Sequence, residues 1–206
     1  IGLHEIPSFD RATWAKATPQ VTIVLRDDRP WGQLRWFESV PGVRRLFWTT
    51  GIGRQVQRIR VHRLMRLIRR SVPLTSFSII GIGRRIRTRP GAKDLRERNF
   101  PTPFTEREWL RICSESQVVI GIHGSHMLLP SCAAGSTIDL IPKERLGNIW
   151  QDLLVNAADS REALLYYRSL PITSSANTTA AVAVSLLTEM PSMLNRLGVK
   201  RSQQSL

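Results

Sequence analysis

The run His123-Gly124-Ser125-His126 gathers two imidazoles, a hydroxyl and a glycine in four residues, directly after the apolar stretch VVIGI (118–122). Imidazole and hydroxyl groups at such a turn can bond to a phosphate, a sugar hydroxyl or a metal. Gly124, with no side chain, lets a ligand or a neighbouring backbone come close. If a helix opens there, its free N–H groups carry partial positive charge suited to a phosphate. Ser125 can then cap that helix or donate its hydroxyl to the anion, and His123 and His126 can donate to a diphosphate or sugar. A purely structural reading of the turn is a capped helix whose histidines satisfy buried polar groups. A zinc site lacks a nearby third ligand, Asp139 being the closest acid downstream. A hydrolase nucleophile elbow requires Gly-x-Ser-x-Gly, and Ser125 is followed by His126 and Met127. No metal is therefore expected.

Three other stretches bear on chemistry. In VLRDDRPW (24–31), Arg26 and Arg29 leave the end of an apolar strand. Each guanidinium can bond two oxygens of a diphosphate at once; pairing with Asp27 or Asp28 is the competing use. In GSTIDLIP (135–142), Asp139 lies within a largely apolar strand, where a carboxylate needs a partner. His123, His126 or a ligand hydroxyl would serve. In GIGRRIRTR (81–89), the Gly-x-Gly-x-x-Gly fingerprint fails at Ile86, which excludes a dinucleotide site of the usual kind. That basic loop reads as a solvated charge run, or as the lining of a base or ribose pocket.

The elements that must position these residues follow from periodicity. Strands are expected over 21–26, 75–83, 117–122 and 136–142, each an apolar run bounded by polar or turn residues. Residues 51–71 have helical spacing, with Ile52, Val56, Ile59, Leu64, Leu67 and Ile68 on one face and arginines around the rest. A short helix is expected over 105–116, with Thr105 as its cap and Glu108 at capping-box spacing. Further helices are expected over 124–134, 146–157, 160–168 and 177–189. The alternation predicts an α/β fold, doubly wound around a mainly parallel, Rossmann-like sheet. Ligands of such sheets lie beyond the carboxyl ends of the strands, where both the arginine turn and the histidine turn fall.

The chain has 206 residues and is 42% hydrophobic, enough for a core. It carries 30 basic and 16 acidic residues, a formal charge of +14, and its lysines are only Lys16, Lys93, Lys143 and Lys200. An arginine-dominated excess fits anionic partners: phosphorylated small molecules, nucleic acid, or a membrane surface met peripherally. Arginine-rich composition arises equally well without any such partner. Arg54, Arg58, Arg60, Arg63, Arg66, Arg69 and Arg70 make helix 51–71 the strongest stretch for nucleic acid, although it has no aromatic residue for base stacking. Cys113 and Cys132 are spaced for neither a disulfide framework nor zinc.

The stretch SQVVIGIHGSHMLLPSCAAGSTIDLIP (116–142) resembles the carboxyl-terminal signature of glycosyltransferase family 61 through His123, Gly124, Ser125, Gly135, Ser136 and Pro142. VLRDDR (24–29) resembles that family's arginine-bearing strand end more loosely. SCAA (131–134) stands where the family often has Phe-Met-Pro-Pro, and the acid expected next to the final Pro is displaced to Asp139. The resemblance implies a GT-B fold, two Rossmann-like halves with the active site between them. Residues 21–195 would be the half that binds the nucleotide sugar, residues 1–20 a lead-in or interdomain segment, and 196–206 a flexible tail, with an amino-terminal half upstream. The implied activity is metal-independent transfer of a sugar from a nucleotide-diphosphate donor to the hydroxyl of a glycan or other acceptor. No cofactor beyond that donor is implied. Arg26, Arg29, Gly124, Ser125, His126 and Asp139 would contact substrate, and His123 is the local candidate for the catalytic base. A basic α/β nucleic-acid-binding module is the alternative. The family spans bacterial and eukaryotic members, so the compartment is open: cytoplasm for the former, secretory lumen for the latter.

Overall fold

A computed structural model of the chain describes residues 7–28, 30–31, 51–86, 92–148 and 165–196. Six strands form one sheet: β1 (Gln20–Arg26), β2 (Ser76–Ile82), β3 (Ala92–Asp94), β4 (Val118–Ile122), β5 (Ser136–Ile141) and β6 (Tyr167–Pro171). All are parallel, in the order β3-β2-β1-β4-β5-β6. Among the described residues, four α-helices flank them: α1 (Gly51–Ser71), α2 (Pro103–Ser114), α3 (Leu128–Ala133) and α4 (Ala176–Arg196). This is the doubly wound, Rossmann-like arrangement. Among the described residues, no helix is long and apolar enough to cross a membrane.

Residues along each strand alternate between two cores, as the pleat requires. Val21, Ile23 and Leu25 of β1, Phe77 and Ile79 of β2, and Ile138 and Leu140 of β5 join the α1 and α4 layer. Val24, Ile80 and Val119 face the opposite way, onto Ile112, Cys113, Met127 and Ala133 of the α2–α3 layer. Both faces of the sheet are covered, and β1, β4 and β5 are almost wholly buried, which is why they read as unbroken apolar runs.

The structure differs from the sequence reading at several elements. β3 lies in the stretch read as a basic connection. Ala, Lys and Asp have low strand propensity, but the open edge of β2 captures them, through Leu95 N–H to Ile79 O (2.8 Å) and Glu97 N–H to Gly81 O (3.0 Å). Tyr167 and Arg168, placed at the end of a helix over 160–168, belong instead to β6, paired in register with Thr137 and Ile138. The exposed edge of β5 overrides a locally helical sequence there.

In α1 the buried face is Gly53, Gln57, Val61, Leu64, Met65 and Ile68, while Ile52 and Ile59 are exposed. The inward stripe is rotated from the expected one. Helix α2 starts earlier than expected, because Pro103 suits the first turn and the Thr102 hydroxyl accepts from Thr105 N–H at 3.2 Å. The cap is therefore Thr102 and not Thr105, and Glu108 pairs with Arg111 at 2.7 Å instead of completing a capping box. Within the lead-in, Phe9 and Trp14 pack edge to face, their ring centroids 5.3 Å apart, and both join the α1–α4 core. Arg29, residues 149–164 of the helices expected over 146–157 and 160–168, and tail residues 197–206 lie outside the described residues.

Candidate functional site at the strand switch

β1 pairs with β2 on one side and with β4 on the other. The chain leaves β1 through α1 and enters β4 through α2, and these helices cover opposite faces of the sheet. The helices that follow β1 and β4 among the described residues thus pack on opposite faces, which makes the β1–β4 boundary the switch point of the sheet. Arg26 ends β1, and His123 follows β4. Because the two strands are parallel neighbours, both turns lie on the same rim.

Arg26 is engaged within its own turn. Its Nε and Nη2 meet the two carboxylate oxygens of Asp28, each at 2.8 Å. The Asp28 side chain is 57% exposed, against 24% for Arg26, so the pair is weakly held: exposed ion pairs contribute about 0–1 kcal/mol.

The histidine turn differs from a helix opening at Gly124. Ser125–Met127 form a single 3₁₀ turn, followed by the six-residue α3, with Pro130 in its first turn. Gly124 has φ 154° and ψ 172°, a conformation essentially reserved for glycine. Ser125 makes no side-chain cap; it is exposed, and His126 is half-buried. So short a helix offers much less dipole to an anion than the expected one, since the effect needs aligned peptide units.

His123 and Asp139 are brought together. His123 is 3% exposed and Asp139 fully buried. The imidazole Nδ1 lies 2.6 Å from Asp139 Oδ2, and the Tyr167 hydroxyl donates to the same oxygen. An ionised carboxylate only accepts, so against an ionised Asp139 the Nδ1 atom carries the hydrogen. The alternation of β5 explains the geometry: Ile138 and Leu140 point to the α1–α4 core, so Asp139 points to the other face. His123 N–H also bonds Leu140 O at 3.0 Å, which fixes the start of the turn. Sequence reasoning does not find Tyr167, because it falls at the end of the helix expected over 160–168; an aromatic pair, Tyr166-Tyr167, before Pro171 is the available strand signal.

A second buried network, also missed, lies on the other half of the rim. The Arg96 side chain is fully buried; its guanidinium bonds Asp94 (Nη2 to Oδ2, 2.9 Å) and Asp27 (Nη1 to Oδ1, 3.3 Å) and donates to Arg84 O. Asp27 also accepts from Arg84 N–H at 2.9 Å, and Asp94 from Ile86 N–H at 2.7 Å. Gly83, at φ +147°, makes room for it: a Cβ there would lie 2.4 Å from the Asp27 carboxylate. The spacing Asp94-x-Arg96 at a strand end was the signal, since residues two apart share a face.

Among the described residues, no three metal-ligating side chains come together. No protein-family model, curated protein or solved structure matches the chain.

Proposed function

We propose that the chain is the donor-binding domain of a nucleotide-sugar glycosyltransferase, with the diphosphate held in the crevice between the turns after β1 and β4. One observation carries the reading: an arginine turn and a glycine-led histidine turn flank the switch point of a parallel sheet with this strand order. In this reading Arg26 exchanges Asp28 for the diphosphate and neutralises the charge that grows on the leaving group as the bond to the sugar's anomeric carbon breaks. The acceptor hydroxyl forms the new bond at that carbon. Its proton goes to His123 Nε2, with Asp139 holding Nδ1–H and stabilising the imidazolium that results. Gly124 admits the donor's oxygens close to the backbone. The amino-terminal half expected of a GT-B enzyme would supply the acceptor side.

The alternative through α1 has less to work with. Arg63 Nε bonds Asn177 at 3.1 Å, Arg69 Nε bonds Thr75 O at 3.1 Å and lies over the Phe77 ring, and Arg60 is half-buried.

Calorimetry with UDP, GDP and CDP tests the proposal. At least one should bind with a submillimolar Kd, weakened tenfold or more by Arg26→Ala. No binding at millimolar concentration, or binding indifferent to Arg26, would overturn it.

A further inference from the structure

The Arg96 network supports an open cleft of about 600 Å³ whose walls include Arg84, Arg85, Glu97, Arg98 and Phe100. It lies at the carboxyl ends of β2 and β3, on the same rim as the switch point but on the far side of β1. We propose that this cleft binds a nucleotide phosphate, either a free nucleotide or the terminal residue of a single strand, at a site separate from the β1–β4 crevice. The inference does not depend on the donor reading.

Charge is the first argument. The buried Arg96 is neutralised by Asp94 and Asp27. Arg85 has a loose partner in Glu97 at 3.6 Å. Arg84 and Arg98 are exposed, and among the described residues neither side chain forms an ion pair. Two uncommitted guanidinium groups on one cleft are a fork-shaped seat for phosphate oxygens.

Rigidity is the second. The two loops that carry these arginines are tied together from beneath. Gly83 N–H bonds Glu97 O at 2.7 Å, Glu97 N–H bonds Gly81 O at 3.0 Å, Arg85 Nε bonds Arg96 O at 3.0 Å, and Arg96 reaches Arg84 O. A seat so held loses little freedom when an anion arrives.

The third is shape and chemistry. Phe100 is 88% exposed at the cleft. An exposed aromatic ring beside arginines stacks a base while they take its phosphate, a pairing that inorganic phosphate or a lipid headgroup cannot satisfy. The volume lies within the range of about 300–1,000 Å³ usual for small-ligand sites. Asp27 sets the boundary with the crevice, because it turns toward Arg96 and the Arg84 amide while Arg26 turns toward Asp28.

The test titrates the full chain at low salt with UMP, AMP, inorganic phosphate and a fluorescent ten-nucleotide single-stranded RNA. UMP or AMP binding identifies a free nucleotide as sufficient; binding of the RNA alone identifies a strand. In either case the double variant Arg84→Ala/Arg98→Ala should weaken binding tenfold or more. Phe100→Ala should weaken nucleotide or RNA by a factor of about three to ten and leave inorganic phosphate unchanged. The Arg26→Ala protein should retain cleft binding, so failure of the donor reading and failure of the cleft are told apart. The inference is overturned if no probe binds at millimolar concentration, if the double variant binds like the wild type, if Phe100→Ala has no effect on nucleotide or RNA, or if Arg26→Ala abolishes the same binding.

Discussion

Two buried polar networks occupy the two halves of the sheet's carboxyl rim, and they are built differently. On the β1-β2-β3 side, Arg96 lies between Asp94 and Asp27, and every partner is a charged side chain or a backbone group. On the β4-β5-β6 side, Asp139 accepts from an imidazole and a phenol. The first network holds a guanidinium that exchanges no protons near neutrality; it is suited to bracing loops. The second contains the one side-chain type whose ordinary range spans neutral pH; it is suited to holding or passing a proton. Each half of the rim therefore has a polar anchor, one of groups fixed in charge near neutrality and one that includes an imidazole.

The largest expected effect separates the two. Arg96→Met leaves Asp94 and Asp27 without their buried cation, and breaking such a pair costs about 3–5 kcal/mol. Urea denaturation should show that loss, and Arg96→Lys should not restore it, because an ammonium cannot reach both carboxylates and the Arg84 carbonyl with one planar fork. A loss below about 1 kcal/mol would mean that the strut is dispensable and the comparison fails on that side.

A smaller effect comes from the strut's packing. Gly83→Ala introduces a methyl group at positive φ and against the Asp27 carboxylate. The strain should cost about 1–3 kcal/mol, and combined with Arg96→Met it should be less than additive, since both act on one network. On the other half, Tyr167→Phe removes one of the donors to Asp139 and leaves His123 in place. A loss of about 1 kcal/mol is expected, with little change in nucleotide affinity measured by the same calorimetry.

The sheet was legible where burial on both faces made it so. β1, β2, β4 and β5 announce themselves as apolar runs, and the turns after β1 and β4 were placed on the correct rim by alternation alone. The edges were not legible. β3 is three residues with weak strand propensity, and β6 has a mixed pattern of exposure; each is a strand because a neighbour's open edge makes it one. The site divides in the same way. His123 and Asp139, 16 residues apart in sequence, could be linked because both bound the same pair of strands. Tyr167 was legible only through the Tyr166-Tyr167 pair that marks its strand, and Arg96 only through its spacing from Asp94, since its other partner, Asp27, comes from a separate strand end. The helix at Gly124 was misjudged for a local reason. Pro130 and the glycine conformation confine it to a 3₁₀ turn and six residues, which no count of apolar spacing reveals.

The smallest effect is zero at neutral pH and serves as the control for both networks. Cys113 lies in the α2–α3 core, and burial pushes its thiol up from 9.0 to about 12. Below about pH 8 the thiol is protonated in both the folded and the unfolded chain, so it contributes no pH dependence there. Between pH 9 and 12 the unfolded chain releases the proton and the folded chain keeps it. The folded state then binds more protons, and stability must fall as pH rises. The Cys113→Ala protein should lose that contribution to the alkaline slope while keeping the wild type's pH dependence between pH 7 and 8. Iodoacetamide at pH 8 should label Cys132, which is exposed, and spare Cys113 until the chain unfolds. If Arg96→Met exposes Cys113 to the reagent and Tyr167→Phe does not, the strut braces the core beneath both halves. If both variants expose it equally, the two networks are equivalent braces and the chemical distinction between them loses its structural support.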